Sequence, residues 1–231
     1  MIWLAVAGIA AVVIAAVVVS ARQGKGWWVF FLVGTLGWVL AQAGKGILLL
    51  PIILADRGAV LSAQLWYIPL AALLPGVVEE LGKYVPLRML HVRTRNMALA
   101  LGLGAGAIEA ITILVGVLAT AGLGGVHEPF VSALIAVWER FWAVTGHAAE
   151  ATLDGVAIVR RKGRWLVAAM AAHTLIDLGA AWYQHAEAVH ASVAVVRLAL
   201  GTSEVVLAVV AALVWVWGRR LWLIPTEVPQ N

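Results

Sequence analysis

IPLAALLPGVVEELGK, residues 68–83, is the stretch that decides how the chain is read. Its apolar start suits hydrocarbon. It then sets two carboxylates, Glu79 and Glu80, side by side, with Lys83 shortly after. A charged side chain at the centre of a spanning helix costs about 2.5–3.5 kcal/mol on insertion scales. A helix that carries two needs them for a task.

The rest of the chain gives this run its setting. The 231 residues are 63% hydrophobic and 12% charged, against roughly 45–50% and about 25% in soluble domains. The chain is therefore an integral membrane protein. A spanning helix needs about 20 residues, and apolar runs of that size lie at roughly 2–20, 27–54, 62–87, 96–121, 130–158, 165–184 and 191–217. The fold expected is an all-α bundle of about seven transmembrane helices, forming a single polytopic domain over 1–231. The second run is long enough to tilt or break, at Gly44 or Pro51. The first has no basic segment before it and is too long for a signal peptide, so it reads as a retained span. No soluble domain, low-complexity segment or internal repeat stands out.

Charge sets the orientation. Arg22 and Lys25, then Arg88, Arg93 and Arg95, then Arg160, Arg161, Lys162 and Arg164, then Arg219 and Arg220 fall in alternate loops and the tail. The other loops are poor in basic residues: Asp56 with Arg57, then Glu128, then Glu187. With seven spans all the basic segments share one side, and the positive-inside rule makes that side cytoplasmic. The N-terminus is then outside and the C-terminus inside, in a multi-pass protein of a cell membrane, as in a prokaryotic plasma membrane. A net charge of +4 spread in this way reports topology, not nucleic-acid binding. The partners expected are membrane lipids and a transmembrane or membrane-proximal polypeptide. With no cysteine, disulfides, thiolate ligands and cysteine nucleophiles are excluded together. Twelve Trp residues include Trp3, Trp27, Trp28, Trp66, Trp165, Trp182, Trp215 and Trp217 near span ends, as an interfacial belt predicts. Trp38, Trp138 and Trp142 lie deeper and read as packing residues.

Other spans hold further polar groups. At about 1.5 Å per residue, Glu79 and His173 lie about 14 Å from their basic loops, and His147 and Glu109 about 20 Å. Groups from four spans thus share one slab. In the fifth span Arg140, His147, Glu150 and Asp154, spaced 7, 3 and 4, occupy one helix face. His173 and Asp177 are i,i+4 neighbours, so Asp177 is placed to accept the ring proton and fix the tautomer. Glu79 and Lys83 are likewise i,i+4, while Glu80 points about 100° away. One carboxylate then activates water and the other holds a neighbouring helix. Glycines at Gly76, Gly82 and along GLGAGAIE (102–109) allow close helix approach and would bring Glu109 toward the third span.

These residue types support water activation. Desolvation makes a buried carboxylate a better general base. Two imidazoles with a carboxylate meet the three-ligand requirement of an open Zn²⁺ site, here His147 and His173 with Glu109, or with Glu80. The set to weigh is Glu79, Glu80, Glu109, His147, His173 and Asp177. The plainer alternative for each residue is a structural hydrogen bond or ion pair. Arg197 with Glu204 reads that way, Gln42 and Lys45 either pack or line a cavity, and His91, His127, His185 and His190 read as surface groups. His127-Glu128 does not complete HExxH, since Val131 stands where the second His is needed. There is no GxGD motif, although Asp154 and Asp177 form a candidate aspartate pair, and no serine resembles a rhomboid nucleophile.

EELGK (Glu79–Lys83), GLGAGAIEA with Glu109, ERFWAVTGH with Arg140 and His147, and AAHTLID with His173 and Asp177 together resemble the YhfC-type intramembrane proteases. The order EExxK, Glu, His, His is also similar to the PrsW-type proteases. Both belong to the group of the type II CAAX prenyl proteases and bacterial CPBP proteins, with the non-proteolytic Aph subunit of gamma-secretase a distant relative. The resemblance covers about residues 70–180. It implies that Glu79 or Glu80 activates water with His147 assisting, and that His173 and Asp177 stand where the CAAX enzymes have an HxxxN pair assigned to the oxyanion. An ionised Asp cannot donate to an oxyanion, so Asp177 is expected to orient His173. Lys83 replaces the Arg of the CAAX motif, and Ala143 stands where its Phe would be, which favours the YhfC and PrsW branches. Both mechanisms stay open: YhfC-type proteins are called metalloproteases, whereas the CAAX relative is viewed as using glutamate-activated water.

The expected function is therefore intramembrane peptide-bond hydrolysis, with water reached from the cytoplasmic side. The rivals are a non-catalytic Aph-like scaffold and a proton- or ion-coupled transporter, which should show inverted repeats and broken helices.

Overall fold

The computed structural model describes residues 2–55, 60–122 and 130–223, apart from the side chains of residues 120–122 and 130. Asp56, Arg57, His127 and Glu128 lie outside the described residues. Among the described residues there are seven α-helices: α1 (Ile2–Ala21), α2 (Trp27–Ala55), α3 (Tyr67–Met89), α4 (Arg95–Gly122), α5 (Phe130–Val159), α6 (Arg164–Ala188) and α7 (Val193–Leu223). A 3-10 turn at Leu61–Ala63 precedes α3, and no strand occurs among the described residues. Each apolar run has become one helix. α2 continues through both Gly44 and Pro51, so the break allowed for there is absent.

On length and composition, α1, α2, α4, α6 and α7 are apolar enough to cross a membrane. α3 and α5 have 23 and 30 residues but fall below that standard because they carry the charged groups: Glu79, Glu80, Lys83 and Arg88 in one, Glu139, Arg140, Glu150 and Asp154 in the other. Most of those groups are buried. Large apolar side chains such as Leu40, Ile47, Leu198 and Leu213 instead face outward. That distribution inverts the pattern of a soluble protein, in which charged residues are almost never fully buried.

α3 packs chiefly on α6 and α2, α4 on α5 and α2, and α5 on α7. The basic segments meet at one end of the bundle. Asn96 donates to the Gln23 carbonyl across 3.4 Å, and Arg160 donates to the Leu221 carbonyl. At the far end His185 Nδ1 lies 2.8 Å from the Ser62 carbonyl oxygen. His185 is thus buried, not the surface residue its position suggests, because the turn before α3 folds onto the end of α6. Trp38 is buried as expected, but Trp138 is 48% exposed on the outer face.

Glycine permits two of the helix contacts. A Cβ at Gly102 would lie 2.7 Å from Ala148 Cα, and one at Gly76 would lie 2.9 Å from the Thr174 nitrogen. These approaches bring α4 against α5 and α3 against α6. Gly102 and Gly106 of α4 set Glu109 against α5, where it still lines one cavity with Glu79 of the third span. Below the site, at the basic end, apolar side chains fill the bundle: Leu87 and Leu101 in one cluster, Leu153, Val156, Trp165 and Leu221 in another.

Candidate active site

Four helices converge on one buried constellation. Glu79 and Glu80 come from α3, Glu109 from α4, His147 and Glu150 from α5, and His173 and Asp177 from α6. Glu79, Glu80, His147, Glu150 and His173 are all at most 6% exposed. All six residues singled out in the sequence take part.

Glu79 and Glu80 have different surroundings. Glu79 Oε1 accepts from Lys45 Nζ at 2.5 Å and from Gln42 Nε2 at 3.0 Å, both on α2. Its Oε2 is buried without a hydrogen-bond donor and faces His173 Nε2 at 3.7 Å and His147 Nε2 at 4.0 Å. Glu80 is fully buried, and its Oε1 lies 2.6 Å from both Lys83 Nζ and His173 Nδ1. Its Oε2 also lacks a donor, but Glu80 lines neither of the cavities described below. The expected i,i+4 pair of Glu79 with Lys83 is not formed. Lys83 turns to Glu80 and across to Glu150 Oε2 at 2.8 Å, leaving Glu79 to Lys45.

These contacts set the histidine tautomers. His173 Nδ1 lies against Glu80 Oε1 and 3.1 Å from Glu150 Oε2. Carboxylates accept, so Nδ1 carries a proton, while Nε2 faces two further carboxylates, Glu79 and Asp177, the latter with Oδ2 at 3.5 Å. The close orienting partner of His173 is thus Glu80, and Asp177 sits at the other nitrogen. In His147 the Lys83 ammonium lies 3.2 Å from Nδ1. An ammonium can only donate, so Nδ1 accepts and the ring proton sits on Nε2, 2.5 Å from Glu109 Oε2. Arg140 then holds the other Glu109 oxygen at 2.7 Å and also binds Glu139.

The metal set expected from sequence was Glu109, His147 and His173, with Glu80 possible. The donor atoms that converge within 4.8 Å are those of Glu79, His147 and His173, and separately those of Glu80, Glu150 and His173. Glu109 is the hydrogen-bond partner of His147 instead. In the second group the Lys83 ammonium already pairs with both carboxylates and offsets one of their two charges, which disfavours a further cation. The first group suits one: two imidazoles and a carboxylate whose Oε2 is orphaned toward them. Ligands at about 2.1 Å from a tetrahedral ion are about 3.4 Å apart, close to the separations seen. His147 joins that set only once its Nε2 proton has moved.

Sequence reasoning left Lys83 and Glu150 out of the site and left Gln42 and Lys45 between packing and lining a cavity; both line one. For Glu150 the 7, 3, 4 spacing was the available signal. Arg197 and Glu204 form no ion pair among the described residues. Arg197 is exposed, and Glu204 lines a cavity beside Glu139 and Arg140. Asp154 is fully buried without donors and lines neither cavity, so it does not share a chamber with Asp177.

Two cavities meet at Glu109, His173 and Asp177. One, of about 70 Å³, is bounded by Arg140, His147, Glu150 and Glu204. The other, of about 420 Å³, is bounded by Trp38, Gln42, Lys45, Pro75, Glu79, Thr112 and Gln184. Both extend from the site toward the far end of the bundle. A water path from the basic side, as the sequence suggests, would have to cross the apolar clusters.

Residues 8–124 match the family described as YhfC intramembrane metalloprotease. The match spans α1 to α4 and so takes in two helices outside the motif-bearing stretch of 70–180, while His147 and His173 lie beyond it. No curated protein and no solved structure matches the chain.

Proposed function

The chain belongs to the YhfC intramembrane metalloprotease family, and on that premise we propose that it is an intramembrane endopeptidase that hydrolyses a peptide bond in or beside the membrane with water activated by Glu79 and the two histidines. The bundle spans the membrane seven times, with its basic end in the cytoplasm and its N-terminus outside. The observation that carries this reading is the orphaned Glu79 Oε2, buried between His147 Nε2 and His173 Nε2. An unsatisfied buried carboxylate oxygen costs stability, and a water or cation placed there gives it a partner.

Each side chain has a part. Lys45 and Gln42 hold Glu79 Oε1, so that Oε2 is the oxygen aimed at the reacting water. Glu80 holds a proton on His173 Nδ1, which leaves Nε2 as the nitrogen facing the reaction site, able to ligate once its own proton has left. Lys83 bridges Glu80 and Glu150 and offsets one of their two charges, so that the second carboxylate group competes less well for a cation. His147, protonated on Nε2, donates to Glu109 and forms the next link for a proton leaving the water. Glu79, His147 and His173 would hold the metal, which would supply Lewis acidity to the water and the scissile carbonyl. Without it, Glu79 acts as the general base. A transporter reading lacks the broken helices it calls for, since all seven helices are continuous over their described lengths.

The test is cleavage of a quenched-fluorescence transmembrane peptide library by the purified protein in proteoliposomes, together with its metal content. Glu79→Gln, His147→Ala and His173→Ala should each lower cleavage by about 10²-fold or more while keeping the gel-filtration profile. If all three cleave as the parent does, the site assignment fails and the scaffold reading gains.

A further inference from the structure

The larger cavity has a direction. Along α3 it is lined by Ala71, Pro75 and Glu79, and by nothing beyond Glu79. On α6 the lining starts at His173 and ends at Gln184, and on α4 it starts at Glu109. Every described residue lining it on these three helices therefore lies at the level of the site or farther from the basic loops. Gln184 and Thr112 are exposed at its rim, and Lys45 Nζ reaches Glu79 from its wall. On the basic side of the site, Leu87, Leu101 and Leu153 are wholly buried.

We propose that this 420 Å³ cavity is the vestibule through which an extended polypeptide segment and water reach Glu79 and His173, entered from the face opposite the basic loops. The positive-inside rule makes that face extracytoplasmic. The segment reaches the site extended, since a peptide bond must leave its helix to be attacked, and the amides of Gln42 and Gln184 with the Thr112 hydroxyl supply hydrogen-bonding groups for its exposed backbone. The identity of the occupant rests on the protease reading. The direction of access does not.

The natural absence of cysteine makes the test direct. Ala71→Cys and Ala180→Cys, both lining the vestibule, are expressed separately in intact cells with Lys162→Cys, on the basic side, as reference. A membrane-impermeant charged thiol reagent added outside should label the two vestibule cysteines and should reach Lys162→Cys only after permeabilisation. A bulky adduct at either vestibule position should then lower peptide cleavage at least tenfold. Labelling of both vestibule cysteines only from the inside overturns the proposal, and so does failure to label either even in permeabilised cells. Normal labelling with no cleavage by the unmodified parent defeats the protease reading alone. Cleavage that survives the bulky adducts defeats the vestibule alone.

Discussion

Glu79 and Glu80 are adjacent, yet α3 turns one toward α2 and the cavity and the other into the packed junction with α5 and α6. Their replacements should therefore fail differently. Glu79→Gln keeps an acceptor for Lys45 and Gln42, so its thermal midpoint in detergent should barely move while cleavage falls by about 10²–10⁴-fold. Glu80→Gln removes one of the two carboxylates beside a fully buried ammonium and weakens the hold on His173 Nδ1. Breaking a buried ion pair from one side costs about 3–5 kcal/mol, which a thermal melt should register as a marked drop. A stable, inactive Glu80→Gln beside an unstable Glu79→Gln would reverse the two roles. Lys83→Met gives a second check. It leaves Glu80 and Glu150 uncompensated, so it should destabilise by a similar amount, and Glu150→Gln in the same chain should recover part of the loss. Lys83→Met should also open the Glu80, Glu150 and His173 group to cations, detectable as extra metal per chain in elemental analysis.

At the scale of the helix, the apolar runs were plain in the sequence, because hydrocarbon tolerates little besides about 20 apolar residues in helical form; their ends were less so, since α3 starts at Tyr67 and α7 runs on to Leu223. That Glu79, Glu109, His147 and His173 share one level of the bundle was plain for the same reason, since rise per residue converts position into height. The choice of partners was not. Lys83 stands four residues after Glu79, but Glu150 on another helix and Glu80 one turn away draw it elsewhere, and no single-helix pattern encodes that. The α4 glycines announced close packing without naming α5 as the neighbour, so Glu109 ends up with Arg140 and His147. This contact can be tested directly. Gly102→Val places branched carbons against the α5 backbone, should cost at least about 1–3 kcal/mol by overpacking, and should lower cleavage by separating Glu109 from His147. Gly46→Ala on α2, where an added Cβ meets open space, should be neutral or stabilise by up to about 1 kcal/mol in thermal melts. Equal effects of the two would show that glycine packing does not position the site.

For the whole molecule, charge decides orientation and burial decides whether the less apolar helices cross. Basic residues crowd one end of the bundle, from Arg22 and Lys25 through Arg160–Arg164 to Arg219 and Arg220, while the linkers at the far end hold only Arg57. α3 and α5 carry too many charges to match α1 or α7 as independent spans, but their charges face one another: Lys83 bonds Glu80 and Glu150, and Arg140 bonds Glu109 and Glu139. Such pairing lowers the cost of crossing once neighbours are present, so the charged helices are held by the apolar ones around them. The proposed topology of seven crossings puts opposite ends on opposite sides. A fluorescent-protein reporter fused after Leu223 should fold and fluoresce in the cytoplasm. An alkaline phosphatase reporter inserted after Ala191 should be active outside, and the same reporter after Lys162 should be inactive. If α3 and α5 failed to cross, the linkers before and after each would lie on one side, and a phosphatase reporter after Met89 would be active together with one after Val60. Activity after Val60 but not after Met89 is the outcome expected from the paired charges. Removing Lys83, Glu80 and Glu150 together by apolar substitution should leave that pattern unchanged, because the charges that oppose insertion go with the charges that compensate them.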